Sequence, residues 1–187
     1  MLENHISLKG MYRDVLTGPE RRIVYDSGWR SNTIVRSCRM LLAGFMKNDS
    51  APPQGIQYIA VGQGKPEWDM QWNTPAPPGP ALDTVTGLES PFPQTITVPP
   101  VNPLPGQQYL DIVYLDESDK VVENVTNRLQ VKCTLEPGFP TADIYPLREF
   151  GLFGKFGGDT YMINCVRHPV IYKDALATLV REIKLYF

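Results

Sequence analysis

Hydrophobic residues between positions 29 and 48, in "WRSNTIVRSCRMLLAGFMKN", recur at the three- and four-residue spacing of an α-helix. Arg36, Arg39 and Lys47 fall outside the apolar stripe that this spacing creates. The pattern therefore predicts an amphipathic helix that docks on the rest of the molecule, with Leu41 and Leu42 buried. The stripe consists of Ile34, Val35, Cys38, Leu41, Leu42, Phe45 and Met46.

Polar residues and prolines indicate where this helix begins and ends. Ser31 or Asn32 can cap the start, because a short side-chain oxygen accepts a hydrogen bond from an otherwise unpaired helix amide. The polar run from Asn48 to Ser50, followed by two prolines, stops the helix. We expect the helix to run from about Thr33 to Lys47.

An export signal and a membrane span are both poor interpretations of the same segment. Two arginines interrupt its apolar run, and nearly thirty residues precede it, whereas a secretory signal starts at the N-terminus. The run from Ile34 to Met46 is also shorter than the roughly 20 apolar residues that a bilayer core requires. We therefore expect no direct membrane insertion.

Most other hydrophobic positions follow the two-residue period of β-strands. In "RLQVKCTL" every second residue is apolar, which predicts one buried and one solvated face. "GIQYIAVGQG" is apolar on both faces, which indicates that both are covered. The last strand places Leu179, Ile183, Leu185 and Phe187 on one face. Further strands are predicted in "QYLDIVYL", "VVENVT", "PLREFGLFG" and "DTYMINCVRHP".

Together these elements predict a single β-rich α+β domain over residues 1–187. We expect a largely antiparallel, sandwich-like sheet with one amphipathic helix packed on it. Residues 1–28 hold two β-prone stretches separated by a Gly-Pro turn, which predicts an N-terminal β arm or hairpin. Residues 65–105 are rich in proline and predict a long surface loop with one short strand around "QTITV".

The composition narrows the classes of partner and ligand. A formal charge of −2 without a block of like charge lacks the electrostatic footprint of a nucleic-acid-binding protein. Cys38, Cys133 and Cys165 are far apart among apolar neighbours, with no pair at metal-ligand spacing. We therefore expect no nucleic-acid partner, no metal site, buried free thiols and a reduced compartment.

Three arrangements that could carry chemistry have simpler explanations. Cys165 and His168 could act as nucleophile and base, but residues three apart in a strand point to opposite faces. "VGQG" before Lys65 lacks the full spacing of a phosphate-binding loop. The acids from Asp111 to Asp119 lack the regular ligand spacing of a calcium loop. We therefore expect no catalytic residues, no cofactor and no enzymatic activity.

The proline-rich region also holds candidates for an interface. "PEWDMQW" places large apolar side chains in a loop, where they must find cover, and such residues are enriched among interface anchors. Arginines on the outer face of the helix could form salt bridges between subunits. In the alternative, the aromatic residues fold back on their own domain and the arginines are solvated. The candidate residues are Trp68, Met70, Trp72, Trp29, Arg36 and Arg39.

Two segments resemble parts of bacteriophage proteins: "SNTIVRSCRMLLAGFMKN…GIQYIAVGQG" and "PLREFGLFG…GGDTYMINCVRHPVIYKDALATLVREIKLYF". Their order is similar to that in tail-fibre and baseplate-associated structural proteins of phage tails and phage-tail-like contractile injection systems. The two segments cover under half of the chain, and the proline-rich middle departs from the pattern. The matching positions are Asn32, Ile59 to Gly64, Arg148 to Phe153, His168-Pro169, Lys173-Asp174 and the strand to Phe187.

The resemblance implies a non-enzymatic structural subunit, present in several copies and associated with a baseplate or fibre. Its implied partners are other tail or baseplate subunits and copies of itself. Its implied location is the cytoplasm of a bacterial cell during assembly, and then the particle. A second hypothesis is a receptor- or glycan-binding module with Trp68 and Trp72 as stacking platforms. A cap or tail-terminus component is a further alternative.

Overall fold

The computed structural model describes residues 8–48, 53–71, 81–141 and 143–187. Within these ranges the chain forms eleven strands and one α-helix, which confirms the β-rich α+β class. The helix, α1, spans Arg36–Met46. The strands are β1 Lys9–Thr17, β2 Ile23–Asp26, β3 Arg30–Ile34, β4 Gln54–Gly62, β5 Ile96–Thr97, β6 Asp111–Leu115, β7 Val121–Val122, β8 Arg128–Leu135, β9 Tyr145–Phe156, β10 Asp159–Lys173 and β11 Thr178–Tyr186.

The described strands join in the order β5-β4-β9-β10-β3-β1-β11-β8-β6-β7, with β2 paired to β1. Each of these pairs is antiparallel. The short strand β3 pairs with β1 through residues 30–32 and with β10 through Thr33 and Ile34. Because one strand pairs with both neighbours in succession, β3 connects two halves of the sheet.

These two halves pack against each other. The ring of Tyr12 on β1 lies 5.5 Å from the ring of Phe150 on β9, in an edge-to-face arrangement. The guanidinium of Arg181 on β11 lies 3.7 Å from the centre of the same Phe150 ring. Buried side chains from both halves contribute to the same central hydrophobic core. The predicted sandwich-like packing therefore agrees with the contacts between the halves.

The strand patterns agree with the sequence. In β8 the apolar residues from Val131 onward are buried at every second position. In β4, Ile59 and Val61 join the central core, whereas Tyr58 and Ala60 pack in a second cluster on the opposite face. Both faces of β4 are therefore covered, as predicted. Alternation works well here because the direction of each side chain is set by the local backbone.

Helix α1 begins later than predicted, at Arg36. Ser31 and Asn32 do not cap it, because they lie in β3, and the N-cap position is occupied by Val35 without a side-chain hydrogen bond. The backbone of residues 30–34 pairs with β1 and β10. Strand pairing therefore provides hydrogen-bond partners for the backbone N–H and C=O groups that would otherwise form the first turn of a longer helix. No helix in the described ranges has the length and apolar character needed to cross a bilayer.

The predicted N-terminal hairpin is present as β1 and β2, but it is not a separate arm. Strand β1 pairs along its whole length with β11, from Lys9 opposite Tyr186 to Thr17 opposite Thr178. Its inward-facing residues Tyr12 and Leu16 belong to the central core. The described part of this segment is therefore an integral strand of the sheet.

Candidate functional site

Helix α1 has two apolar sides, and only one of them is buried. Leu41 is 6% exposed, whereas Leu42 is 38% exposed. Phe45 and Met46, three and four residues after Leu42, are 65% and 80% exposed and lie on the same side of the helix. The predicted burial of Leu41 is confirmed, and the predicted burial of Leu42 is wrong.

Small residues explain this rotation of the helix. The hydroxyl of Ser37 donates a 2.6 Å hydrogen bond to the carbonyl of Met162 on β10. A Cβ atom at Gly44 would lie 3.0 Å from the ring of Phe156, so the helix approaches closely at this point. Because α1 packs through Ser37 and Gly44 as well as its apolar residues, the contact face does not coincide with the predicted apolar stripe. One edge of that stripe therefore remains exposed to solvent.

An apolar groove of about 340 Å³ lies beside the exposed edge of α1. The helix forms one wall, and β4, β6, β8, β10 and β11 contribute to the rest. None of the lining side chains is charged, and the volume is within the range of small-molecule sites and side-chain pockets. The groove is lined by Cys38, Leu41, Leu42, Gly55, Ile56, Ile112, Val113, Tyr114, Leu129, Ile163, Leu185 and Phe187.

The helix beside this groove is basic. Its eleven residues include Arg36 and Arg39 and no Asp or Glu. Nη2 of Arg36 lies 3.8 Å from a carboxylate oxygen of Asp83, and both side chains are exposed, so this pair is weak. Arg39 precedes Leu42 by three residues and therefore lies toward the exposed apolar edge.

A buried polar network lies in the core between the two halves of the sheet. Nε and Nη2 of Arg181 donate hydrogen bonds of 2.6 and 2.9 Å to the two carboxylate oxygens of Asp14. Nη2 also lies 3.1 Å from Nε2 of His168, and Nδ1 of that ring lies 2.8 Å from the carbonyl oxygen of Pro169. A carbonyl can only accept, so Nδ1 carries the proton and Nε2 accepts from Arg181.

This network fixes the protonation state of His168. Burial and, secondarily, the nearby charge of Arg181 lower the pKa of His168 to about 4. The imidazole is therefore neutral near pH 7, when it can accept the hydrogen bond from Arg181. Asp14, Arg181 and His168 lie on β1, β11 and β10, so the network bridges the two halves of the sheet.

The sequence reasoning missed Asp14 and Arg181, although strand alternation contains the signal. Asp14 lies between the inward-facing Tyr12 and Leu16, and Arg181 lies between Leu179 and Ile183. A charged residue at an inward position of an amphipathic strand needs a partner. Two such positions of opposite charge, on strands that pair, predict a buried ion pair.

Cys165 and His168 lie on opposite faces of β10, as the sequence predicts. Cys165 packs in the second cluster with residues such as Val35 and Phe153, whereas His168 lies near Tyr12 in the central core. Burial raises the pKa of the Cys165 thiol to about 11. The thiol is therefore protonated near pH 7, and this histidine does not activate it. Cys38 and Cys133 are also buried, free thiols.

The candidate interface residue Trp68 is buried in its own domain, with 4% of its surface exposed. The guanidinium of Arg167 on β10 lies 4.3 Å from the centre of its ring. The next residue, Asp69, accepts hydrogen bonds of 2.9 and 2.7 Å from Arg148 on β9. Gly64, at φ +56°, leaves room for the ring, because a Cβ atom there would lie 2.3 Å from it.

Other described residues of the proline-rich segment also pack on the sheet. The buried carboxylate of Glu149 accepts hydrogen bonds of 3.0 and 2.7 Å from the amides of Glu89 and Ser90. The ring of Phe92 lies 5.4 Å from that of Tyr145. The predicted short strand is present as β5, paired with β4. Residues 68–69, 89–92 and 96–97 therefore form an intramolecular cover over strands β4, β9 and β10, whereas Val101 and Leu104 of the same segment are exposed.

The remaining candidate interface residues lie on different elements. Met70 is 84% exposed, and Trp72 lies outside the described residues. Trp29 is partly exposed, and Nζ of Lys184 lies 4.5 Å from the centre of one of its rings. Arg36 and Arg39 are exposed and share α1. Of the five candidates within the described residues, Trp68 is buried, whereas Trp29, Met70, Arg36 and Arg39 are exposed.

None of the protein-family models, curated proteins and solved structures compared with this chain matches it.

Proposed function

We propose that this chain is a non-enzymatic structural subunit of a phage tail or phage-tail-like contractile injection particle, associated with the baseplate or a fibre. It assembles there through protein-protein contacts. The observation that carries the proposal is the exposed apolar edge of α1, formed by Leu42, Phe45 and Met46, beside the apolar groove. Contiguous exposed apolar surface of this kind marks interaction sites in folded proteins.

The positions that resemble phage structural proteins support the proposal through their roles in the fold. Arg148 donates to Asp69 and to the carbonyl of Gln63, which holds the cover on the sheet. His168 belongs to the buried network, and Nζ of Lys173 donates a 2.9 Å hydrogen bond to the carbonyl of Glu136. These residues maintain a defined shape, which an assembly subunit requires.

The glycan-binding alternative receives no such support from Trp68. One face of its ring is covered by Arg167, and the side chain is almost entirely buried. A stacking platform for a sugar needs an accessible aromatic face. An assembly role is therefore the better proposal.

Isolation of particles tests the proposal. The chain is expressed with an affinity tag from its own genomic locus, and particles are purified by sedimentation and analysed by quantitative mass spectrometry. We expect the chain at a constant ratio to sheath and tube proteins, and deletion of its gene should give particles that lack a baseplate or fibre component. Purified particles without the chain, together with normal particles from the deletion strain, would contradict the proposal.

A further inference from the structure

We infer that the groove and the adjoining edge of α1 bind an acidic segment of another protein, through one large apolar anchor side chain on that segment. We call this site the α1 surface; it consists of Arg39, Leu42, Phe45, Met46 and the groove. The inference rests on the proposed function, because the bound segment would belong to a partner subunit in the particle.

The shape of the α1 surface favours a protruding side chain. The groove is concave and uncharged, with walls contributed by Leu42 on one side and β6 on the other. Phe45 and Met46 are mostly exposed and lie on the same side of α1 as Leu42, which lines the groove. Binding energy at interfaces is concentrated where a large apolar side chain fills a desolvated pocket. A Trp, Phe or Leu side chain of a partner matches this site.

The positive charge of α1 determines which partner residues can flank that anchor. Arg36 and Arg39 are exposed, α1 contains no acidic residue, and the exposed pair of Arg36 with Asp83 is weak. Arg39 lies on the same side as Leu42, one turn earlier in the helix. Complementary potentials speed association and suppress wrong partners. Acidic residues flanking the anchor therefore fit this site, and basic residues are repelled.

Two other occupants fit less well. A second copy of this chain, docked helix to helix through the same surface, would place Arg36 and Arg39 of both copies in one interface, with no acidic residue of α1 to pair with them. A membrane surface attracts basic amphipathic helices, but lipid packing does not require a pocket between the helix and the sheet. The groove between α1 and β6 therefore favours a protein segment over both.

Binding of synthetic peptides to the full chain tests this inference. The first fluorescent peptide carries one Trp flanked by Leu and Glu; a second replaces each Glu by Lys, and a third replaces the Trp by Ala. We expect saturable binding of the first peptide that weakens with salt and is about tenfold or more tighter than that of either control. No binding of the first peptide, or equal binding of the Lys peptide, would overturn the inference.

Exposed positions on α1 supply the variants. Phe45→Ser and Arg39→Glu should each weaken binding of the acidic peptide about tenfold, and Arg39→Glu should improve binding of the Lys peptide. Met40→Ser is the matched control, because Met40 is also exposed but lies five residues before Phe45, on another side of the helix. Unchanged melting temperatures show that each variant is folded. Equal loss of binding in Met40→Ser would contradict the assigned surface.

Two further measurements separate the other occupants. Cosedimentation with phosphatidylglycerol vesicles that is lost in Phe45→Ser would assign the surface to a membrane. A dimer in analytical ultracentrifugation that Phe45→Ser dissociates would assign it to a second copy. Either result overturns the inference. If the chain is present in particles but the first peptide does not bind, the proposed function stands and only the inference is overturned. If the peptide binds but the chain is absent from particles, only the proposed function is contradicted.

Discussion

Asp14 and Arg181 lie opposite each other in the register of β1 and β11, and two hydrogen bonds of 2.6 and 2.9 Å join their buried side chains. Both occupy inward positions between apolar neighbours. Burial of two charges costs solvation free energy, which their mutual attraction and the hydrogen bond to His168 offset. The native fold therefore depends on both partners being present.

Replacement of either partner alone should strongly destabilise the chain. Asp14→Leu or Arg181→Leu leaves one uncompensated buried charge, which typically costs about 3–5 kcal/mol of unfolding free energy. The double variant should lose less than the sum of the two single losses, because no lone charge remains. Urea denaturation of the four proteins measures this coupling.

The neighbouring ion pair of Arg13 and Asp26 is the control. It also has two hydrogen bonds, but both side chains are about one-third exposed. Solvent screens such a pair, so Arg13→Ala should have a much smaller effect on the urea midpoint. A similar loss in Arg13→Ala and Arg181→Leu would show that burial is not the cause.

Stability should fall in mild acid because of His168. Its pKa is about 4 in the folded chain and 6.5 when unperturbed, so the unfolded chain binds more protons between these values. The contribution of neutral His168 to the free energy of unfolding is complete above pH 6.5 and is lost as the pH falls through about 4. The full change is about 3 kcal/mol by linkage. Urea midpoints measured from pH 7 to pH 4 give the slope.

His168→Gln isolates this effect. A Gln side chain can accept from Arg181 but does not titrate in this range. Between pH 7 and pH 4 its stability should therefore vary less with pH than that of the unmodified chain, even if its stability at pH 7 is lower. Parallel pH profiles in the two proteins would assign the acid sensitivity to other groups.

Adjacent leucines on α1 should respond differently to truncation. Leu41→Ala removes a buried side chain and should cost about 3 kcal/mol, as other core Leu to Ala changes do. Leu42→Ala affects a partly exposed residue at the groove and should cost under about 1 kcal/mol. Thermal unfolding distinguishes the two. Equal losses would mean that Leu42 is buried in solution.

Gly64 should tolerate no side chain, because it combines a left-handed backbone with the contact to Trp68. Gly64→Ala adds a Cβ atom 2.3 Å from the ring, so the cover must shift. The alanine backbone is also strained at φ +56°. Gly28 is the control, since its φ is +61° with nothing within 4 Å of a Cβ atom. We expect about 1 kcal/mol of destabilisation for Gly28→Ala and a clearly larger loss for Gly64→Ala. Equal changes in melting temperature would show that the cover moves freely.

The sequence by itself determined the elements whose geometry is local. Alternation in β8 and the two apolar faces of β4 predicted strands and their burial, because successive side chains of a strand point to opposite faces. The same rule separated Cys165 from His168. The same alternation also puts Asp14 and Arg181 at inward positions, a signal that the sequence predictions did not use, and only the register of β1 with β11 shows that the two side chains meet.

Tertiary structure alone decided the features that depend on distant partners. The strands beside β3 set the start of α1, and the close approach at Gly44 helps to set its rotation, which leaves Leu42 at the surface. Trp68 is buried because Arg167 and Gly64, far apart in sequence, form its site. An apolar pattern indicates which side chains favour burial. Which of them are buried depends on the neighbouring elements, because a helix buries only the part of its surface that those elements can contact.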